Sequence, residues 1–98
     1  MIYVIAQLKL KPGTSERACA EARKVVVGTI KEDGGLFYDV NLSVTDPTRL
    51  VAVERWESKE ALARHNETAH LKAWRAVVAE VAVERDIQVI TPESVERK

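Results

Sequence analysis

Residues 35–56 read GLFYDVNLSVTDPTRLVAVERW, and this stretch decides the fold. Apolar side chains alternate from Leu36 to Val44 and fill most of the run from Leu50 to Trp56, a pattern typical of half-buried strands. Between the two runs, Asp46-Pro47-Thr48 has the composition of a turn. The stretch therefore predicts a β-hairpin at the centre of the chain.

The segments before the hairpin predict a strand and then a helix. Residues 2–10 alternate with period two up to a break at Pro12-Gly13. Thr14 or Ser15 can cap a helix after this break, and Gly34-Gly35 can end it. Between these points apolar residues recur at helical spacing, at Ala18, Ala22, Val25 or Val26, and Ile30.

The segments after the hairpin predict two helical pieces and a last strand. Ser58 can cap a short first helix, and Thr68 can cap a second one. Residues 84–90 predict a strand, and residues 92–98 predict a loose polar tail. Ala61, Leu62 and His65 belong to the first helix, and the apolar stripe of the second is Leu71, Trp74, Val78 and Val81.

The resulting order, β-α-β-β-α-β, predicts an α+β fold of the ferredoxin-like class, with an antiparallel sheet and both helical regions on one face. A chain of 98 residues has the length of one domain, so we expect residues 1–98 to form a single domain.

The sheet face opposite the helices is too apolar to be exposed to water, since it would carry Tyr3, Ile5, Phe37, Val51 and Ile90. We therefore expect a homodimer packed sheet to sheet; the alternative is a monomer with scattered apolar surface residues.

Composition excludes several classes of protein. Fifteen Lys and Arg balance fifteen Asp and Glu, which argues against a nucleic-acid or membrane-surface partner. The single cysteine, Cys19, excludes an internal disulfide and a thiolate zinc site of the CxxC type. No apolar run is long enough to span a membrane and no signal peptide is recognisable, so the expected location is the cytoplasm. The motifs of phosphate loops, dinucleotide-binding turns and serine nucleophile elbows are also missing.

Few side chains in this sequence are suited to acid–base chemistry. His65 is a candidate base, because imidazole is the commonest general base where a pocket surrounds it. His70, five residues later, would not share a helix face with His65, and we therefore expect no metal site. Glu54 lies on the same strand face as Trp56; against the helices it would be a carboxylate in a poor solvent that needs a partner.

The aromatic residues have two interpretations. Core packing is the usual fate of large aromatic side chains, and it accounts for Trp56 and Trp74. Trp56, however, lies where a strand gives way to a helix, a position that can wall a cleft, and Tyr38 lies on the apolar face of its strand.

The segment that carries these residues resembles a known family. Glu54-Arg55-Trp56-Glu57-Ser58, then Glu60-Ala61-Leu62, His65 and Thr68-Ala69-His70-Leu71, is similar to the E-x-W-x-S…A-L…H…x-x-H pattern of the antibiotic biosynthesis monooxygenase (ABM) domain family. The resemblance extends to Val4-Ile5-Ala6, Lys11-Pro12-Gly13 and Gly34-Gly35…Tyr38, and so covers roughly residues 2 to 91.

The resemblance implies a dimeric α/β barrel and a class of reaction. The characterised enzymes of the family oxidise phenols, quinols or polycyclic aromatics with O2 and without metal or flavin. The haem-degrading branch uses an Asn, a Trp and a His at positions that here hold Ala6, His65 and Arg75, so haem degradation is not expected. The quinol monooxygenase branch carries a histidine at the position of His65, which fits.

We therefore expect a monooxygenase that needs no cofactor, with O2 as co-substrate and a small phenolic, quinol or polycyclic aromatic substrate. The resemblance implies that His65 is the base, that Tyr38, Trp56 and Trp74 wall the substrate, and that Glu54, Asn66 or His70 orients His65. A dimeric module that binds a small aromatic or hydrophobic ligand without turnover is the alternative. We also expect His65 to be partly exposed near a helix end, so that its loss costs little stability.

Overall fold

The computed structural model describes residues 1–98 and contains a four-stranded antiparallel sheet with three helices against one face. The predicted ferredoxin-like α+β fold is confirmed, with the second helical region divided in two as expected. No helix is long and apolar enough to cross a membrane. The elements are β1 (Ile2–Leu10), α1 (Ser15–Thr29), β2 (Gly35–Leu42), β3 (Arg49–Trp56), α2 (Lys59–Asn66), α3 (Ala69–Val81) and β4 (Ala82–Ile90).

The register of the sheet decides which residues face the helices. The strand order is β2-β3-β1-β4, and β1 is the strand that pairs with both β3 and β4. Val4 pairs with Glu54 on one side and with Val89 on the other. Since cross-strand partners share a face, Glu54 and Val89 point to the same side as the buried Val4, which is the side of the helices.

The core lies between this sheet face and the helices. β1 supplies alternate buried residues, and α1 and α3 supply one buried stripe each. The helices cover the β4 side of the same face less well, so Ile87 and Val89 remain more than half exposed.

The opposite face has the apolar character that the sequence predicts. Tyr3 pairs with Ile90, and Ile5 pairs with Val53. These four side chains are half-buried in the single chain. Phe37 on the same face is exposed, with the Arg55 guanidinium 5.3 Å from the centre of its ring.

Some predicted positions differ from the structure. β2 ends at Leu42, and Val44 is fully exposed in the turn region. Leu36 is half exposed because the β2–β3 register shifts between Gly35 and Phe37. α1 ends at the buried Thr29, so Ile30 lies outside the helix and is exposed.

Two side-chain caps define the break in the second helical region. The Ser58 hydroxyl accepts a hydrogen bond from the Ala61 N–H at the start of α2. At the end of α2 the Thr68 hydroxyl donates to the His65 carbonyl, 2.8 Å away, and it also accepts from the Leu71 N–H. One threonine therefore ends α2 and begins α3, so that the chain changes direction within three residues.

Candidate active site

A cavity of about 220 Å³ lies between the helix-facing side of the sheet and the helices α2 and α3. Apolar side chains form most of its wall, among them Val4 and Leu8 of β1, Leu62 of α2 and Leu71 of α3. Its polar lining residues are Glu54, His65, Asn66, Arg75 and Arg85. A largely apolar cavity with a few convergent polar groups is the usual form of a small-molecule site.

His65 is buried at the back of this cavity. It comes from the last turn of α2, where the four-residue spacing from Ala61 places both side chains on the inner face of the helix. The side chain is only 2% exposed. Its ring centre lies 4.5 Å from that of Trp56 and 5.6 Å from that of Tyr38. The expectation of a partly exposed His65 is therefore wrong, since α2 turns the residue into the core.

A carboxylate lies between the two histidines. The Nδ1 atom of His65 is 2.8 Å from Oε2 of Glu32, and the Nε2 atom of His70 is 2.7 Å from the same oxygen. The side chain of Glu32 is 13% exposed and that of His70 is 27% exposed. The three groups form one hydrogen-bonded cluster that runs from the buried His65 to the partly exposed His70.

The two histidines converge although residues at this spacing were not expected to share a helix face. On one continuous helix, residues five apart point in different directions. The break at Thr68 places His65 on α2 and His70 on α3, and the change of direction turns both rings toward Glu32.

Two glycines bring Glu32 into place. Glu32 lies in the turn between α1 and β2, where its N–H donates to the Thr29 carbonyl and its carbonyl accepts from the Gly35 N–H. Gly34 has φ +83°, and a Cβ there would be 2.5 Å from Cβ of Ala61. A Cβ on Gly28 would be 2.7 Å from the His70 ring. Both helices can therefore approach the Glu32 turn only because these positions lack a side chain.

Burial and the carboxylate act in opposite directions on His65. Burial lowers the pKa of the His65 imidazole below its ordinary value, and the hydrogen bond and negative charge of Glu32 partly offset that change. Burial also raises the pKa of Tyr38, and the Glu54 and Glu32 carboxylates raise it further. At neutral pH the site therefore contains a neutral imidazole, which can accept a proton, and a neutral phenol.

Glu54 is the buried acid of the cavity, and its carboxylate has the partner that such a group needs. Its Oε1 accepts a hydrogen bond of 2.9 Å from Nε1 of Trp56, and the residue is 6% exposed. Burial raises the pKa of Glu54 to about 7, an effect that the Trp56 hydrogen bond opposes. Glu54 is thus partly protonated near neutral pH and is a second group in the cavity that can exchange a proton.

The structure brings most of the predicted site residues together. Tyr38, Glu54, Asn66 and Trp74 line the cavity with His65. Trp56 and His70 do not line it: the fully buried Trp56 ring packs against His65, and His70 contacts Glu32.

Sequence reasoning missed Glu32, Arg75 and Arg85 as site residues. Arg75 and Arg85 line the cavity, and Arg75 donates to Oδ1 of Asn66. Glu32 lies in the run Lys31-Glu32-Asp33, which looks like any charged turn. The glycines on either side, Gly28 and Gly34-Gly35, were the signal that this turn packs closely against other elements.

The cluster also contains the donor types of a metal site. One ligand atom each of Glu32, His65 and His70 lies within 4.8 Å of the others, and two imidazoles with one carboxylate suit a divalent transition metal. The two histidines converge from different helices, so the lack of a shared helix face does not by itself exclude a metal site. These atoms are already hydrogen-bonded to one another, since a single carboxylate oxygen contacts both rings.

The fold and the site together are those of a small α+β protein with an imidazole–carboxylate pair beside an apolar cavity. A family model described as antibiotic biosynthesis monooxygenase matches residues 1–77, and the chain belongs to this family of oxidoreductases. Family membership confirms the resemblance that the sequence motifs indicate.

Curated relatives support this assignment. The chain is 34% identical over 76 residues to "Putative monooxygenase YcnE" of Bacillus subtilis, which covers 78% of this chain and 80% of YcnE. It is 29% identical over 102 aligned positions to "Probable quinol monooxygenase YgiN" of Escherichia coli, which covers 94% of this chain and 98% of YgiN.

Solved structures with the same fold cover nearly the whole chain. A "Putative antibiotic biosynthesis monooxygenase" from Nitrosomonas europaea superposes with a TM-score of 0.90 at 29% identity, over 96% of this chain and 100% of that one. Rv0793 from Mycobacterium tuberculosis superposes with a TM-score of 0.89 at 28% identity, over 98% of each chain.

Proposed function

We propose that this protein is a cofactor-independent monooxygenase that oxidises a small phenol or quinol with O2, and that His65 is its general base. The observation that carries the proposal is the buried imidazole that lines an apolar cavity while its Nδ1 atom is held by a carboxylate. The quinol monooxygenase name of a relative that spans nearly the whole chain supports the same substrate class.

The proposed reaction requires few groups from the protein. O2 is a triplet, so it reacts slowly with a neutral phenol, whereas a phenolate can transfer one electron to it. His65 takes the hydroxyl proton, the phenolate reduces O2 to superoxide, and the two radicals combine into a peroxide at a ring carbon. Loss of the hydrogen on that carbon and cleavage of the O–O bond then give a quinone carbonyl and water, and the proton held by His65 is returned in forming that water. A base, a dry cavity and a held ring are enough for these steps.

The size of the cavity favours a small substrate. Its volume of about 220 Å³ is below the roughly 300–1,000 Å³ of pockets that hold drug-sized ligands. Tyr38 and Trp74 are the aromatic side chains of its wall and can pack against a substrate ring. Within the expected range of substrates we therefore propose a quinol of one or two rings rather than a larger polycyclic aromatic.

The function is tested with a panel of one- and two-ring quinols, incubated with the protein in air and under nitrogen. We expect O2 uptake and a quinone absorbance band that both depend on the protein and on air. His65→Ala is expected to lower kcat by about 10²–10⁴-fold, the usual contribution of a positioned general base. Arg64→Ala, an exposed neighbour on the same helix, is the matched control and should keep full activity. Full activity in a folded His65→Ala variant would overturn the role of His65, and Glu54 would become the candidate base.

A non-catalytic binding module is the second candidate, and the largely apolar wall of the cavity favours it. In that case quinols bind, as seen by quenching of tryptophan fluorescence, but O2 uptake equals that of the quinol alone.

The metal content of the purified protein tests the absence of a cofactor. We expect elemental analysis of the purified protein to find no stoichiometric metal, and a full equivalent would contradict the cofactor-independent mechanism.

A further inference from the structure

The two nitrogens of His65 have different surroundings. Nδ1 contacts Oε2 of Glu32 at 2.8 Å, and this is the one hydrogen bond that the ring makes within the chain. Because His65 lines the cavity, Nε2 is the nitrogen available to a bound molecule. An imidazole can act as a base through Nε2 only when its single hydrogen is on Nδ1.

We propose that Glu32 is a positioning residue, which keeps the His65 hydrogen on Nδ1 and the lone pair of Nε2 toward the cavity, and that His70 holds the Glu32 carboxylate in place. This inference rests on the proposed function, in which His65 is the base. An ionised carboxylate can only accept hydrogen bonds, so His65 must donate from Nδ1. The opposite tautomer would place two lone pairs against each other in a buried site, and it is therefore excluded.

His70 is suited to hold the carboxylate. Its Nε2 lies 2.7 Å from the oxygen that His65 contacts, so that oxygen receives two donors from two different helices. The ring of His70 lies against Gly28 of α1, where there is no room for even a Cβ. With the backbone of Glu32 also hydrogen-bonded on both sides, the carboxylate has little freedom to turn away from His65.

The same arrangement stabilises the charge that forms during proton transfer. When the substrate hydroxyl proton moves to Nε2, His65 becomes an imidazolium in a buried place, and Glu32 is the adjacent negative charge. The other charged or titratable groups toward His65 are His70 and Arg75 of α3, which disfavour its protonation, with Tyr38 of β2 and Glu54 of β3 on the sheet side. Glu32 is the group that makes His65 a competent base despite its burial.

The first test uses the unmodified protein and does not depend on turnover. Long-range ¹H–¹⁵N NMR of the imidazoles, at a pH where both histidines are neutral, is expected to show His65 with the hydrogen on Nδ1 and an unprotonated Nε2. A His65 ring with the hydrogen on Nε2 would overturn the proposal. The spectrum is expected to be unchanged by EDTA; a change would show that a metal, and not the Glu32 hydrogen bond, fixes the ring.

The second test removes the charge of Glu32 and keeps its shape. Glu32→Gln is expected to lower kcat by about 10²–10⁴-fold with little change in KM, because an amide can donate to Nδ1 and so favours the inactive tautomer. The NMR signature of His65 should change accordingly, and Glu32→Asp should recover part of the activity. Glu57→Gln is the matched control, since the exposed Glu57 lies near the same turn but contacts neither histidine. A folded Glu32→Gln variant with wild-type kcat and tautomer would overturn the proposal.

Variants of His70 separate its role from that of Glu32. His70→Gln keeps an N–H donor and should retain most activity, whereas His70→Ala should lose more by freeing the carboxylate. Equal activity in these two variants would overturn the role of His70.

If no quinol is oxidised by the wild-type protein while the Nδ1–H tautomer is present, the proposed function fails and the positioning by Glu32 stands. If Glu32→Gln does not fold, the wild-type spectrum decides.

Discussion

At the scale of single residues, the cavity contains two titratable groups with opposite responses to burial. Glu54 is a carboxyl whose pKa burial raises to about 7, and His65 is an imidazole whose pKa burial lowers. Both changes favour the neutral form of the group, as expected for side chains removed from water. Near neutral pH the His65 imidazole is therefore neutral and Glu54 is ionised only in part, so burial reduces the charge that these two groups place beside an uncharged phenol.

The raised pKa of Glu54 predicts a pH-dependent cost to stability. In the unfolded chain its pKa is about 4.5, and in the folded protein it is about 7. As pH rises through this window the unfolded state loses the proton first, so the free energy of unfolding falls between about pH 4.5 and pH 7 and is level above. Glu54→Gln should remove this fall and stabilise the protein by up to about 3 kcal/mol at pH 8, with no gain at pH 4.

Urea denaturation of wild type and Glu54→Gln at several pH values measures this effect. His65 contributes in the opposite direction, since its lowered pKa makes the folded state less stable as pH falls below about 6.5. That contribution is present in both proteins and cancels in their difference. A difference in unfolding free energy that does not vary with pH would contradict the assignment.

Burial also predicts that His65 is a structural residue as well as the proposed base. His65→Ala removes a ring that packs between Trp56 and Tyr38 and leaves Glu32 with one donor fewer. We expect the free energy of unfolding to fall by about 2–4 kcal/mol, the range of large-to-small core substitutions. Arg64→Ala should stay within about 0.5 kcal/mol of wild type in the same urea titration. A loss below 1 kcal/mol for His65→Ala would show that the packing of this ring contributes little.

At the scale of elements, the turn from α1 to β2 and the break between α2 and α3 build the site together. The first presents Glu32, and the second turns His65 and His70 toward it. Gly34 connects the two, because its missing side chain lets the turn touch Ala61 of α2. The geometry of the site therefore depends on close backbone approach at Gly34, as it does at Gly28.

Gly34→Ala is expected to be more damaging than a change at another glycine of similar conformation. Both Gly13 and Gly34 have positive φ, +80° and +83°, but a Cβ on Gly13 meets nothing within 4 Å. Gly13→Ala should cost about 1 kcal/mol through backbone strain alone. Gly34→Ala should cost about 1–3 kcal/mol more, because its Cβ overlaps Ala61. Thermal and urea unfolding of the two variants compare them directly, and equal losses would show that the Ala61 contact relaxes without cost.

The elements could be predicted from sequence where the signal is local. Alternation in β1, the Asp46-Pro47-Thr48 turn and the caps Ser58 and Thr68 act within a few residues, and the structure confirms them. Glu32 could not be found in this way, because its partners are 33 and 38 residues further along the chain. The burial of His65 and the position of His70 were missed for a related reason. Helical periodicity predicts faces within one helix, and here two helices meet at an angle that the sequence does not encode locally.

At the scale of the whole molecule, the sheet face opposite the helices predicts a homodimer. Tyr3, Ile5, Val53 and Ile90 form the centre of this face. Ile5→Asp would place an unpaired charge in the interface, so we expect dissociation or unfolding, with a loss of about 3–5 kcal/mol. Val44→Asp is the control, since Val44 is fully exposed and away from this face. Sedimentation equilibrium at micromolar protein measures both variants, and a wild-type species of 11.0 kDa would contradict the dimer.

The long separation between Glu32 and His65 has a consequence for how the protein acquires activity. One residue lies before the β2–β3 hairpin and the other after it, so the pair forms only when the hairpin has closed and α2 has packed onto the α1–β2 turn. A growing or partly folded chain that contains both side chains lacks the contact between them and the cavity around His65. Under the proposed function, the capacity to activate a substrate toward oxygen would therefore require this long-range contact. The rate at which activity returns during refolding would then report the formation of the tertiary structure around it.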